Sequence, residues 1–172
     1  MYLLYADNIL NMLSNIWMNK SMKHFTSFMG VASIDRLETP HMFPSYTIAN
    51  FSKTGERGTH YVSIIFHSPE ECIYFDPLNL TFIPETILFY MKTYSKFIYR
   101  VNYKVQSDLS IFCGLFCLIP IFLHMNNASI TEGLSFFSKN LIDNDERCIT
   151  LMKELIQMYF DWFAVLYPET WK

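Results

Sequence analysis

A chain of 172 residues, 51% of them hydrophobic and 17% aromatic, has enough apolar side chain to bury one core, which excludes a disordered tail or a low-complexity segment. Its net charge of −3 and pI near 5.9 exclude a protein that coats nucleic acid by bulk positive charge. The four cysteines, Cys72, Cys113, Cys117 and Cys148, sit in a chain too long and too core-rich to need a disulfide framework, so reduced thiols in an intracellular compartment fit best.

Residues 3–17 place Leu3, Leu4, Ile9, Leu10, Met12, Leu13, Ile16 and Trp17 largely on one face, which predicts an amphipathic helix used for packing. Met1 to Tyr5 lack basic residues and Asp7 interrupts the apolar stretch, so no secretory signal is expected. Phe28 to Val31 begins a turn or short strand, and Pro40 and Pro44 mark a loop. The alternation of Tyr46 to Phe51 predicts a strand, and the polar run Ser52 to Gly58 a hairpin connection. Thr59 to Phe66 is β-rich and apolar on both faces in its second half, as a central strand is. Cys72 to Asp76 is the next strand, ended by Pro77, and the tight connection from His67 to Glu71 makes the two antiparallel neighbours.

Pro84 to Lys96 carries Ile87, Leu88, Tyr90 and Met91 at helical spacing. Tyr99 to Val105 alternates as a half-buried strand that leads into Gln106. The apolar run Leu109 to Met125 is a little short for a membrane span and contains Ser110, Gly114 and Pro120, so a core helix is the better reading and no membrane partner is expected. Ile130 to Phe137 and Glu146 to Leu166 predict two further helices. No repeat and no long linker divides the chain, which reads as a single domain over 1–172. The expected fold class is α+β: a mixed, largely antiparallel sheet of about five strands packed by helices.

Cys113 followed by Gly114 opens the apolar helix, where unpaired amides and the helix dipole favour thiolate over thiol. Gln106, seven residues upstream, offers a side-chain amide of the kind that stabilises an oxyanion. A nucleophilic cysteine needs a base, and the base an orienting acceptor. His60 begins one strand and Asp76 ends its neighbour, which puts both at the same end of the sheet. Each residue alone has an ordinary reading: a satisfied core histidine, a strand-end turn, a loop glutamine, a buried thiol. Their combination in this order points to nucleophilic catalysis. Cys113-x-x-x-Cys117 with His124 seven residues on lacks zinc-site spacing, so no metal and no cofactor is expected. Lys92, Lys96, Arg100 and Lys104 recur every four residues but span a helix and a strand, and read as a solvated surface.

Asn50…Gly58-Thr-His60-Tyr61, Tyr74-Phe75-Asp76-Pro77 and Gln106-x6-Cys113-Gly-Leu-Phe-Cys117 together resemble the adenovirus-type cysteine proteases, the adenain-like fold group that also holds the SUMO-specific proteases. The resemblance covers roughly residues 28–123, and the Cys-Gly-Leu-Phe-Cys block is its most specific part. It implies a papain-like or adenain-like protease fold with the nucleophile Cys113 at the N-terminus of a buried helix, His60 as base, Asp76 as its orienting acid and Gln106 in the oxyanion hole. Here Tyr61 follows the histidine where family members often have Trp, and it is aromatic enough to cover the imidazole. Asp76 stands where the adenoviral enzymes carry Glu. The resemblance further implies an origin in an adenovirus-like virus or a Polinton-type element and a thiol endopeptidase of virion maturation. Its substrates would be polypeptides, capsid or core precursor proteins, and its location intracellular, in the host nucleus and the virion. An activating peptide or DNA is a partner implied by resemblance only. Two alternatives stay open: an isopeptidase acting on SUMO or ubiquitin, and a non-catalytic, capsid-associated interaction protein of the same fold.

Overall fold

The computed structural model describes residues 27–166, with the side chains of 156 and 158–166 left out, so the helix expected over residues 3–17 lies outside the described residues. Five strands form one sheet in sequence order: β1 (Phe28–Ser33), β2 (Ser45–Asn50), β3 (Tyr61–Phe66), β4 (Glu71–Phe75) and β5 (Phe97–Val101). The outer pairs, β1 with β2 and β4 with β5, are parallel, while β2–β3 and β3–β4 are antiparallel. The sheet is α+β and mixed as expected, but evenly so rather than largely antiparallel. The helix between β4 and β5 makes a crossover, and a crossover returns the chain parallel.

Alternation along β3 explains the two-layer packing. Val62, Ile64 and Phe66 pack with Tyr74 of β4 against Ile87, Tyr90 and Met91 of helix α1 (Glu85–Tyr94). Ile65 packs with Tyr46, Ile48 and Phe75 on the opposite face, under helix α2 (Cys113–Met125). A strand apolar on both faces needs a cover on each, and these two helices supply it. Leu115, Phe116 and Cys117 of α2 are fully buried, and each large apolar side chain so placed contributes about 1.5–3 kcal/mol. Pro120, inside α2, is also buried. No helix among the described residues is long and apolar enough to cross a membrane.

Three elements differ in extent from the sequence reading. β5 spans 97–101 rather than 99–105: its last pair is Phe75 with Val101, and beyond it the Asp76–Pro77 turn takes the partner strand away. The helix expected over 130–137 is the short α3 (Ile130–Leu134), capped by the Ser129 side chain on the Glu132 amide. The last helix, α4 (Asn144–Leu166), follows directly on a 3-10 turn over Leu141–Asp143. Gly30 sits at a register shift of β1 with φ +100°, a conformation that glycine adopts without a Cβ penalty.

Candidate active site

The pairing of Ser63 with Phe75 and of Phe66 with Cys72 fixes where the residues just outside these strands lie. His60 immediately precedes β3 and Asp76 immediately follows β4, so an antiparallel register leaves both at one end of the sheet. There His60 Nε2 and Asp76 Oδ1 are 2.7 Å apart, with both side chains buried. The Cys113 side chain stands beside the same imidazole and acts on its charge. Nε2 is committed to Asp76, which leaves Nδ1 to meet the sulfur.

Asp76 is held far more firmly than one contact requires. Oδ1 also accepts from the Leu78 amide at 2.9 Å, and Oδ2 accepts from the Leu80 amide at 3.1 Å. The Asp76 carbonyl accepts from the Asn79 amide, closing a turn in which Asn79 takes φ +51°. Arg100 secures the turn from outside, donating to Asn79 Oδ1 at 3.0 Å and to the Leu80 carbonyl. Arg100 therefore does not belong to a solvated basic surface; it is a half-buried brace for the segment that carries Asp76. Lys104, by contrast, does pair at the surface, with Asp108 at 2.8 Å.

His60 is fixed from the other side. Asn50 Oδ1 accepts from the amides of Ser52 at 2.9 Å and Thr59 at 3.4 Å, tying together both ends of the β2–β3 connection. Phe51 donates its amide to the His60 carbonyl and stands edge-on to the imidazole, ring centroids 5.0 Å apart. The ring against His60 is thus Phe51, where the sequence suggested Tyr61. Tyr61 instead brings its hydroxyl against Gly58, where a Cβ would lie 2.9 Å from it.

Burial favours the neutral imidazole of His60. It is outweighed by the hydrogen bond to Asp76 and by the pull of Asp76 and Cys113 on the imidazolium, and the pKa rises to about 9. His60 is then an imidazolium at neutral pH, a cation between a carboxylate and a sulfur. Burial pushes Cys72 up to about 12, and raises Cys117 and Cys148 well above the ordinary thiol range. All four cysteines are free and buried.

Gln106 lies on the loop that leads to Cys113. Its backbone amide and that of Val105 both donate to the Pro77 carbonyl, at 3.0 and 3.1 Å, so the loop before Cys113 hangs on the Asp76 turn. Its side chain is buried, Nε2 donates to the Ser110 carbonyl at 3.1 Å, and Oε1 has no hydrogen-bond partner among the described residues. A carbonyl accepts only from a donor, so the amide nitrogen must face Ser110. In the first turn of α2 the Leu115 and Phe116 amides both donate to the Phe112 carbonyl and no side chain caps the helix, which leaves the amides of Cys113 and Gly114 as the backbone donors there. Among the described residues no group of three or more His, Cys, Asp or Glu side chains is arranged to hold a metal ion.

At the far end of α2 the structure assembles a cluster absent from the sequence reading. Tyr46 Oη lies 3.0 Å from His124 Nδ1, and His67 Nδ1 lies 3.1 Å from His124 Nε2. The two histidines open on a groove of about 510 Å³ floored by Ile73 and Val101. Burial and then the neighbouring His67 lower the His124 pKa.

No family model and no curated protein sequence matches this chain. Among solved structures, it is similar to a crystal structure of the ASFV pS273R protease at 14% identity and a TM-score of 0.48, over 72% of this chain and 60% of that one. The Se-Met form of the same protease matches at 17% identity and a TM-score of 0.42, over 60% of this chain and 43% of that one. The chain thus spans less than two thirds of the length of those chains.

Proposed function

We propose that this protein is a cysteine endopeptidase with Cys113 as nucleophile, His60 as acid and base, Asp76 as the acceptor that orients His60, and Gln106 as an oxyanion donor. The observation that carries the reading is His60 held by the buried Asp76 carboxylate at 2.7 Å, with Cys113 beside it at the head of α2. The Cys113 sulfur attacks the scissile carbonyl carbon while its proton resides on His60. The carbonyl oxygen becomes an oxyanion, stabilised by the Gln106 side-chain amide and the backbone amides of Cys113 and Gly114. Collapse breaks the C–N bond and the His60 imidazolium gives its proton to the departing amine, leaving an acyl group on sulfur. Neutral His60 then takes a proton from water, the hydroxyl adds to the thioester carbonyl, and the sulfur leaves. Asp76 fixes the ring throughout by its hold on Nε2.

The motif resemblance supports polypeptide precursors of a virus or mobile element, cut after a glycine pair, as the substrates. Incubation with a Gly-Gly-containing peptide library, read by mass spectrometry, tests this. Cleavage is expected with the wild-type protein and none with Cys113→Ala. An electrophilic peptide aldehyde should add to Cys113 alone. Cleavage that survives Cys113→Ala, or a wild-type protein that neither cleaves nor reacts, overturns the reading.

A further inference from the structure

The Gln106 corner has a second anchor that the reaction as described does not use. Asn144, the first residue of α4, is fully buried and directs three side-chain hydrogen bonds at two segments. Oδ1 accepts from the Ser138 amide at 2.7 Å, and Nδ2 donates to the Ser138 carbonyl at 2.9 Å and to the Val105 carbonyl at 2.8 Å. Val105 is itself fully buried and immediately precedes Gln106. The Val105–Gln106 peptide is therefore clamped from both sides: its amide donates to Pro77 on the Asp76 turn and its carbonyl accepts from Asn144 on α4. The next residue of α4, Asp145, stands beside Ser110, whose carbonyl receives Gln106 Nε2.

We propose that Asn144 is a positioning residue for the oxyanion glutamine, so that the docking of α4 on the Val105–Gln106 corner sets turnover at Cys113. This rests on the cysteine-peptidase reading. The physical reason is a matter of alternatives. Without the Asn144 amide the Val105 carbonyl is a buried acceptor with no donor, and such a group is relieved by moving the peptide toward water. That movement carries Gln106 with it, and a displacement near 1 Å at a catalytic group costs about a hundredfold in rate. His60, Asp76 and Cys113 are held by other bonds, so nucleophile formation is untouched.

The test separates these steps. Asn144→Ala is expected to lower kcat on a cleaved peptide about 10- to 100-fold with KM little changed, a loss of the size that follows from misplacing one oxyanion donor. Alkylation of Cys113 by iodoacetamide, which needs no oxyanion hole, should proceed at the wild-type rate. In a Gln106→Ala background Asn144→Ala should cost almost nothing more, because residues acting through one group are non-additive. If Asn144→Ala leaves kcat unchanged, or lowers it by the same factor in the Gln106→Ala background, Asn144 does not act through Gln106 and the proposal is wrong. Should Asn144→Ala fail to fold, with Cys117 and Cys148 labelling alongside Cys113, Asn144→Ser carries the same cycle, because it retains a shorter donor. Failure of the underlying reading looks different: the wild-type protein itself then shows no Cys113-dependent cleavage.

Discussion

Helix α2 presents a histidine cluster at each end, and the two titrate in opposite directions. At its N-terminus His60 bonds a carboxylate and stands beside a thiol group, and its pKa climbs to about 9 despite burial. At its C-terminus His124 touches a tyrosine hydroxyl and a second imidazole, and its pKa falls. A helix C-terminus by itself favours a cation by a fraction of a kcal/mol. Burial and the neighbouring His67 outweigh that contribution here. The comparison teaches that the partner, not the position on the helix, decides whether a buried histidine is charged. Burial pushes Tyr46 up to about 12, so the hydroxyl keeps its proton at neutral pH. With one proton per contact the chain from Tyr46 through His124 to His67 is complete. Protonating both rings would set two N–H groups against each other across 3.1 Å.

The sharpest way to break the comparison is to neutralise the anion beside His60. Asp76→Asn removes the charge that holds the imidazolium and is expected to lower kcat about 10⁴-fold, a size typical of disabling the orienting acid of a catalytic triad. Tyr46→Phe, the matching change at the other end, should leave kcat within about twofold. Steady-state kinetics on one cleaved peptide checks both, and equal losses would show that the two clusters do not differ in role.

Gly58 offers a steric route to the same end. A Cβ there would lie 2.4 Å from Asn50 Nδ2 and 2.9 Å from the Tyr61 hydroxyl, so Gly58→Ala must displace the side chain that ties Ser52 to Thr59. Overpacking of this kind costs about 1–3 kcal/mol. The urea midpoint should drop accordingly, and turnover should drop with it because His60 follows Thr59. An unchanged midpoint would show that Asn50 is not a clamp.

The pH dependence of stability follows from the same contrast. His60 has a folded pKa raised from 6.5 to about 9, so its contribution is fully present below pH 6.5 and is lost as pH rises through 9. The loss amounts to about 3 kcal/mol at most, at about 1.4 kcal/mol per pH unit. His124 has a lowered folded pKa, so the unfolded chain binds more protons below 6.5 and stability falls on acidification. Taken together, these two groups place the maximum near pH 6.5. Urea unfolding from pH 5 to 9.5 checks it, and His60→Gln should remove the alkaline decline alone. Peptide cleavage should likewise fall above about pH 9, where the leaving amine loses its acid.

The smallest effect expected is on stability at the far cluster. Tyr46→Phe removes one hydrogen bond to His124 and should cost about 1 kcal/mol, the usual value for such a bond. A thermal melt at pH 7 measures it. A change several times larger would mean that the cluster holds α2 in place.

By itself the sequence determined the parts of this protein that depend on period and on short connections. Alternation in 61–66 and 71–75 with a tight turn between them fixes an antiparallel register, and that register alone brings His60 and Asp76 to one end of the sheet. An apolar run without a cap places Cys113 at a helix N-terminus and Cys117 in the core. The brace from Arg100 to the Asp76 turn, the Phe51 ring on His60, the Asn144 clamp on Val105 and the chain from Tyr46 to His67 were decided only in three dimensions. His124 lies 78 residues from Tyr46 and 57 from His67, and Asn144 lies 39 from Val105. Single hydrogen bonds across such separations leave no periodicity in the chain, because each needs only one polar side chain at a place that packing chooses. The end of β5 at Val101 was decided the same way: its sequence goes on alternating, but a strand lasts only as long as its partner does.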